Sequence, residues 1–242
     1  FTNHAYRNTS GADLWQALGT SSGKDIAGFM NTWISQPGLP LVTITPNEHG
    51  AQLSQQQFFI GPHTPSQRLW PIPLASTAPQ LPQMFDTKQL TTSLTTPFFI
   101  NSEDTSYVIT HYPDSFMTAR LAEIADGTAS EITRLQLLNE QILLAKAGIT
   151  SLAKLLPVLH AYQHETNQTV WGMISLAISE LRRLVEDDTA SQPHTEQQLQ
   201  QAVRTIITPQ FERLGLTQQP NESDNDRILR GTITSLALYS DL

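Results

Sequence analysis

The sequence predicts a multidomain α+β chain: a short helical stretch, then a small β-sandwich, then a longer α-helical array. Three observations carry that expectation. Apolar residues recur at helical spacing near both ends of the chain. Eleven of the 15 prolines fall between Pro37 and Pro113, where a long helix is therefore excluded. Within that proline-rich stretch, short β-type runs alternate with breakers. The predicted units are 1–38, 39–113 and 114–242.

In the first unit, Leu14, Trp15 and Leu18 make one apolar stripe. Ser10 or Thr9 can cap that helix, and Asp13 sits in its first turn, where the macrodipole favours a carboxylate. Ile26, Phe29, Met30, Trp33 and Ile34 make a second stripe, which Pro37-Gly38 ends. Two helices cannot bury Trp15, Phe29, Met30 and Trp33 between them. An apolar patch is expected near residues 1–36, packed on the sandwich, on a second chain or on a further domain.

Six strands are predicted next: Leu41 to Thr45, Gln52 to Ile60, Leu69 to Leu74, Lys88 to Leu94, Phe98 to Ile100 and Ser106 to Tyr112. Asn47 to Gly50 reads as a hairpin turn. Pro71 and Pro73 place their strand at an edge or a bulge.

Helical spacing returns at Phe116 to Ile124, Ile132 to Ala147, Leu152 to Tyr162, Val170 to Val185, Leu199 to Leu214 and Ile228 to Tyr239. Helices of similar length with short connections predict an antiparallel bundle or α-solenoid.

Composition excludes several functions. Hydrophobic residues make up 39% of the 242, which is ample for a core. A net charge of −8 with only 14 Lys and Arg lacks the electrostatic footprint of a nucleic-acid binder or a polybasic membrane segment. The absence of cysteine rules out disulfides and thiolate zinc sites. No apolar run approaches the roughly 18 residues that span a bilayer.

Several motifs carry a family likeness. His4, Tyr6, Asn8 and Asp13-Leu14-Trp15 open the chain, and Trp33 leads into Gln36-Pro37-Gly38-Leu39-Pro40. Gln52 to Phe59 and Arg68-Leu69-Trp70-Pro71-Ile72-Pro73-Leu74 follow. Arg134, Leu137, Leu144 and Gly148 share one helix; Glu165 precedes Val170-Trp171. Pro209, Leu214-Gly215, Leu229-Arg230 and Ser240-Asp241 come last. In order and spacing this set resembles the M1 family of zinc aminopeptidases, in particular its bacterial, cytoplasmic members. Leu39 stands where that family commonly has an aromatic residue.

The resemblance implies that 1–38 are the last helices of a catalytic domain, followed by a β-sandwich and a HEAT-like helical domain that roofs a substrate chamber. It implies a C-terminal fragment, starting at Phe1 and not at Met, of an enzyme that removes N-terminal residues from peptides. That enzyme's zinc sits on H-E-x-x-H and a downstream Glu, and neither is present here. The fragment is expected to be inactive and cytoplasmic, to bind no zinc or other cofactor, and to pack on the missing catalytic and N-terminal domains. No catalytic, cofactor-binding or metal-binding residue is assigned. A stand-alone peptide- or protein-binding module without catalysis is the alternative.

Other constellations read as structure. His160 and His164 are spaced as zinc ligands on a helix would be, but Ala161 occupies the place of the general-base Glu. They are expected at a polar helix end, exposed, and at most an adventitious metal site. The run Glu186-Asp187-Asp188 is a solvated helix terminus. Asn221 to Asp226 lacks the Gly and Glu of a calcium loop. Ser21 to Lys24 reads as a turn between helices, not a phosphate loop. A triad of Ser54, His49 and Asp86 is not supported by spacing.

Overall fold

The computed structural model describes residues 5–187 and 192–242. His4 and Asp188, named above, lie outside them.

α1 (Gly11–Ser22) begins at a capping box. The Ser10 hydroxyl accepts from the Asp13 N–H, and the Asp13 carboxylate accepts from the Ser10 N–H. It ends at Gly23, whose φ of 69° is the left-handed conformation a C-cap needs. Asp25 then caps α2 (Ile26–Ser35), so the Ser21–Lys24 stretch is the turn between two helices. Neither helix has a fully buried residue. α2 is nevertheless tied to the sheet region. The Trp33 indole N–H donates to the Pro71 carbonyl at 3.1 Å, its ring lies 6.5 Å from that of Trp70, and the Gln36 amide donates to the Leu69 carbonyl. Trp15 and Trp33 are half-buried, whereas Tyr6, Leu14, Leu18 and Ile34 stand exposed.

β1 (Pro40–Asn47) and β2 (Gly50–Gln57) form the expected antiparallel hairpin through Asn47 to Gly50. β5 (Gln89–Thr92) joins the outer side of β2, and β6 (Ile109–His111) pairs parallel with β1, giving the order β5-β2-β1-β6. β3 (Ile72–Pro73) and β4 (Met84–Phe85) make a separate two-stranded ribbon. Alternate residues Val42, Ile44, Leu53 and Ala51 face a core with Trp70, Ile72, Leu74, Phe85, Phe98 and Ile100.

One expected strand is absent from the structure, and one observed strand lies outside those expected. Phe98 to Ile100 forms no strand, because its backbone groups are taken by side chains. The Phe99 N–H donates to the Thr77 hydroxyl, and the Ile100 N–H and carbonyl both bond the buried Tyr112 hydroxyl, at 3.0 and 3.1 Å. β4 is two residues long, too short for any periodicity to announce.

α3 (Asp114–Ala125), α4 (Glu131–Lys146), α5 (Leu155–His160), α6 (Gln168–Asp187), α7 (Gln192–Leu214) and α8 (Asp224–Ser240) follow, with a 3₁₀ turn at Leu152–Lys154. α6 packs on α4, α7 and α8, and α7 on α8. One core runs through them, with Trp171, Leu138, Leu159, Val170, Ile206 and Leu229 wholly buried. A smaller cluster of Leu41, Phe58, Ile109 and Leu144 joins the sheet to α4. The fold is thus α+β, with its sheets in the middle of the chain and helices at both ends.

Candidate functional site

A dense polar cluster is built where α4 and α6 begin. The Ser130 hydroxyl accepts from the Thr133 N–H and opens α4, which sets Arg134 on the first turn. The Arg134 guanidinium donates to both oxygens of Glu165, at 2.5 and 3.3 Å, and to the Ala129 carbonyl at 2.8 Å. Glu165 also accepts from the Thr166 and Asn167 N–H groups at 2.8 Å each, satisfying donors near the start of α6. Its carbonyl takes the indole N–H of Trp171 at 2.7 Å. The Tyr162 hydroxyl donates to the Arg134 carbonyl, and burial pushes its pKa well above the usual phenol range. Beside this cluster opens a cleft of about 410 Å³, lined also by Asp126, Gly127, His164 and Thr166.

Arg134, Glu165 and Trp171 are three of the residues that carried the family resemblance, and the structure brings them together. The Glu165 carboxylate is taken up by Arg134 and by the Thr166 and Asn167 N–H groups. Such a cluster braces two helices.

The histidines are placed differently from a zinc pair. His160 is the last residue of α5, while residues 161–164 turn through i to i−3 contacts, so the two do not share an α-helical face. Both are exposed, and only His164 lines the cleft. The sequence also reads His164-Glu165-Thr166-Asn167-Gln168, an overlap with H-E-x-x-H that spacing alone does not flag. Gln168 stands at the second histidine's position, and the Glu165 carboxylate is bound by Arg134 and two backbone N–H groups. These residues do not fit a catalytic zinc, whose general-base Glu needs a free oxygen. Among the described residues, no three His, Asp or Glu side chains stand close enough to share a metal ion.

The acidic run 221–226 is likewise consumed. Ser223 caps α8, and Asp226 takes both arms of Arg213 at 3.0 and 2.7 Å, which holds its carboxyl below the usual range. Asn225 accepts from the Gln168 N–H and donates to the Thr166 carbonyl, tying α8 to the start of α6. Glu222 pairs with the buried Arg230. His49 lies in the hairpin turn and Ser54 in β2, where the strand from Gly50 to Ser54 alone spans about 13 Å at roughly 3.3 Å per residue, too far for a triad.

One buried carboxyl has no cation of its own. Glu140 on α4 is 3% exposed and lies against β6, where the Thr110 N–H donates to it. Burial pushes its pKa well above 4.5; Asp104 adds to the rise, and Thr110, Gln136 and Arg120 oppose it. A carboxyl whose folded pKa is raised contributes stability that is fully present below its unfolded pKa and lost as pH rises toward the folded value. Glu140→Gln is therefore expected to raise the melting temperature at neutral pH and flatten its decline above about pH 4.5. Melting curves across that range, with parallel wild-type and variant profiles as the contrary result, check this.

No helix among the described residues is long and apolar enough to cross a membrane. A family model, the ERAP1-like C-terminal domain, matches residues 97–241. Among curated proteins, Aminopeptidase N of Lactococcus lactis subsp. cremoris is 34% identical over 250 residues, covering 100% of this chain and 29% of that protein. Aminopeptidase N of Lactobacillus helveticus is 30% identical with the same coverage, and the puromycin-sensitive aminopeptidase of Caenorhabditis elegans is 25% identical over 94% of this chain. The chain spans about 29% of the length of the first two. Motif order, fold and these matches agree: the chain belongs to the ERAP1-like C-terminal domain family, related along its whole length to the aminopeptidases its motifs resemble.

Proposed function

We propose that this chain is the non-catalytic C-terminal part of a cytoplasmic zinc metallo-aminopeptidase that removes N-terminal residues from peptides. The observation that carries the reading is a likeness to aminopeptidases that spans every residue of this chain and under a third of theirs. The polar residues that define the likeness add support, because Arg134 on α4 bonds Glu165 just before α6, whose carbonyl takes the Trp171 indole N–H, an arrangement that braces the fold. In this reading 1–38, 39–113 and 114–242 are the end of the catalytic domain, the sandwich and a HEAT-like array. Consecutive packing of α6, α7 and α8 supports the last of these. The exposed Leu14, Leu18 and Ile34 are the face that meets the rest of the enzyme.

The test is zinc content with turnover of an aminoacyl-amide substrate, on this chain and on the longer protein that contains it. An inert, zinc-free chain beside an active, zinc-bearing longer protein is expected. Stoichiometric zinc or turnover in this chain alone would overturn the reading.

A further inference from the structure

Between the sheet and α4 lies a second cavity, of about 530 Å³, which the functional reading does not use. Its size is that of a small-molecule site. Leu39, Phe58, Val108, Ile109 and Leu143 supply apolar wall. Asp104 and Glu140 both line it, and none of its lining residues is Lys, Arg or His.

Glu140 is the unusual member. It is 3% exposed, and its side-chain partner is the Gln136 amide at 3.4 Å, a long contact beside the Thr110 N–H. The nearest cation is spoken for: Arg120 binds Glu123 at 2.7 Å and stacks 3.5 Å over the Phe99 ring. A buried carboxyl and an exposed one thus sit on a largely apolar cavity whose own lining holds no positive charge.

We propose that this cavity binds a small amphipathic ammonium ion, its cationic head on Glu140 and Asp104 and its hydrocarbon body against Phe58, Ile109 and Leu143. A neutral or anionic ligand of the same shape gains the apolar contact alone, and the anion is repelled. Burial disfavours the ionised form of Glu140 and holds its pKa well above 4.5 when the cavity holds no cation. A bound cation favours the carboxylate, so binding is linked to loss of the Glu140 proton, and affinity rises with pH by up to about tenfold per unit. The charged and titratable groups around Glu140 are Asp104 on the loop, Tyr112 after β6 and Arg120 on α3. Of these, Tyr112 is held far above the usual phenol range by burial, so it does not titrate alongside Glu140.

The probes are phenethylammonium and its neutral isostere, phenethyl alcohol, titrated calorimetrically into the whole chain in buffers of differing ionisation heat. Phenethylammonium is expected to bind with a Kd of about 1 mM. Its affinity should rise with pH above about pH 4.5 with proton release, and the alcohol should bind about tenfold more weakly. Glu140→Gln should weaken the amine about tenfold and abolish the proton release, with folding checked by its melting curve. Asp104→Asn, at an exposed loop position that cannot unfold the core, should weaken it severalfold. Equal affinity for the alcohol, unchanged affinity in both variants, or no binding of the amine would each overturn the proposal.

Discussion

Glu165→Ala is expected to cost the folded chain about 3 to 5 kcal/mol, the range for removing one partner of a buried ion pair. The Glu165 side chain is 3% exposed and takes four donors: two from Arg134 and one each from the Thr166 and Asn167 backbone. Truncation leaves the guanidinium without its carboxylate and uncaps the start of α6. Arg134 is 20% exposed and borders the cleft, so water can reach it from one side, which places the loss nearer about 3 than 5 kcal/mol. Glu165→Gln should lose less, because the amide oxygen can still accept from the two backbone N–H groups while its NH₂ meets the guanidinium unfavourably. Urea unfolding followed by far-UV circular dichroism reads both. A loss under about 1 kcal/mol for the alanine variant would show that the pair behaves as an exposed surface bridge. The wild-type pair should also keep its contribution at high salt, since buried charges are screened little.

Local features of this fold are legible in the chain. Ser10 and Asp13 announce the start of α1, and Pro37-Gly38 marks the exit from α2. The apolar spacing at 170–185 and 199–214 falls inside α6 and α7. These are effects of residues three or four apart, where spacing alone fixes the geometry. What escapes is long-range substitution of one bonding partner for another. Phe98 to Ile100 has strand composition, yet Tyr112 and Thr77 take its backbone bonds from 12 and 22 residues away. Arg134 and Glu165 were visible as motif members, but nothing in a separation of 31 residues says that they touch. His160 and His164 looked like a helical pair until the turn at 161–164 separated their faces. Glu140 gave no signal at all, being one Glu on an amphipathic helix until the sheet closes over it.

Gln55→Leu is expected to cost about 3 kcal/mol, although it exchanges a polar side chain for an apolar one of similar size in a buried position. The Gln55 amide nitrogen donates to the carbonyls of Trp70, Phe85 and Thr87, at 3.1, 3.4 and 2.8 Å, and its oxygen accepts from the Trp70 N–H at 2.9 Å. Leucine leaves those backbone groups to find water in a core where Trp70 is wholly buried. Each group left unsatisfied costs about 1–3 kcal/mol, partly offset by the apolar gain. The consequence should be local as well as global. β3 and β4 are two residues each, too short to hold themselves, and Gln55 is the side chain that ties their flanks to β2. α2 in turn hangs on the same segment through Trp33 to Pro71 and Gln36 to Leu69. Loosening at Gln55 should therefore reach the N-terminal helices and spare the helical core around Trp171. Hydrogen exchange separates the two outcomes: the amides of Trp70, Ile72 and α2 should lose protection by far more than those of α6. Uniform loss across the chain would mean that the sheet region and the helical core unfold as one unit, and that Gln55 stabilises the whole rather than the segment it touches.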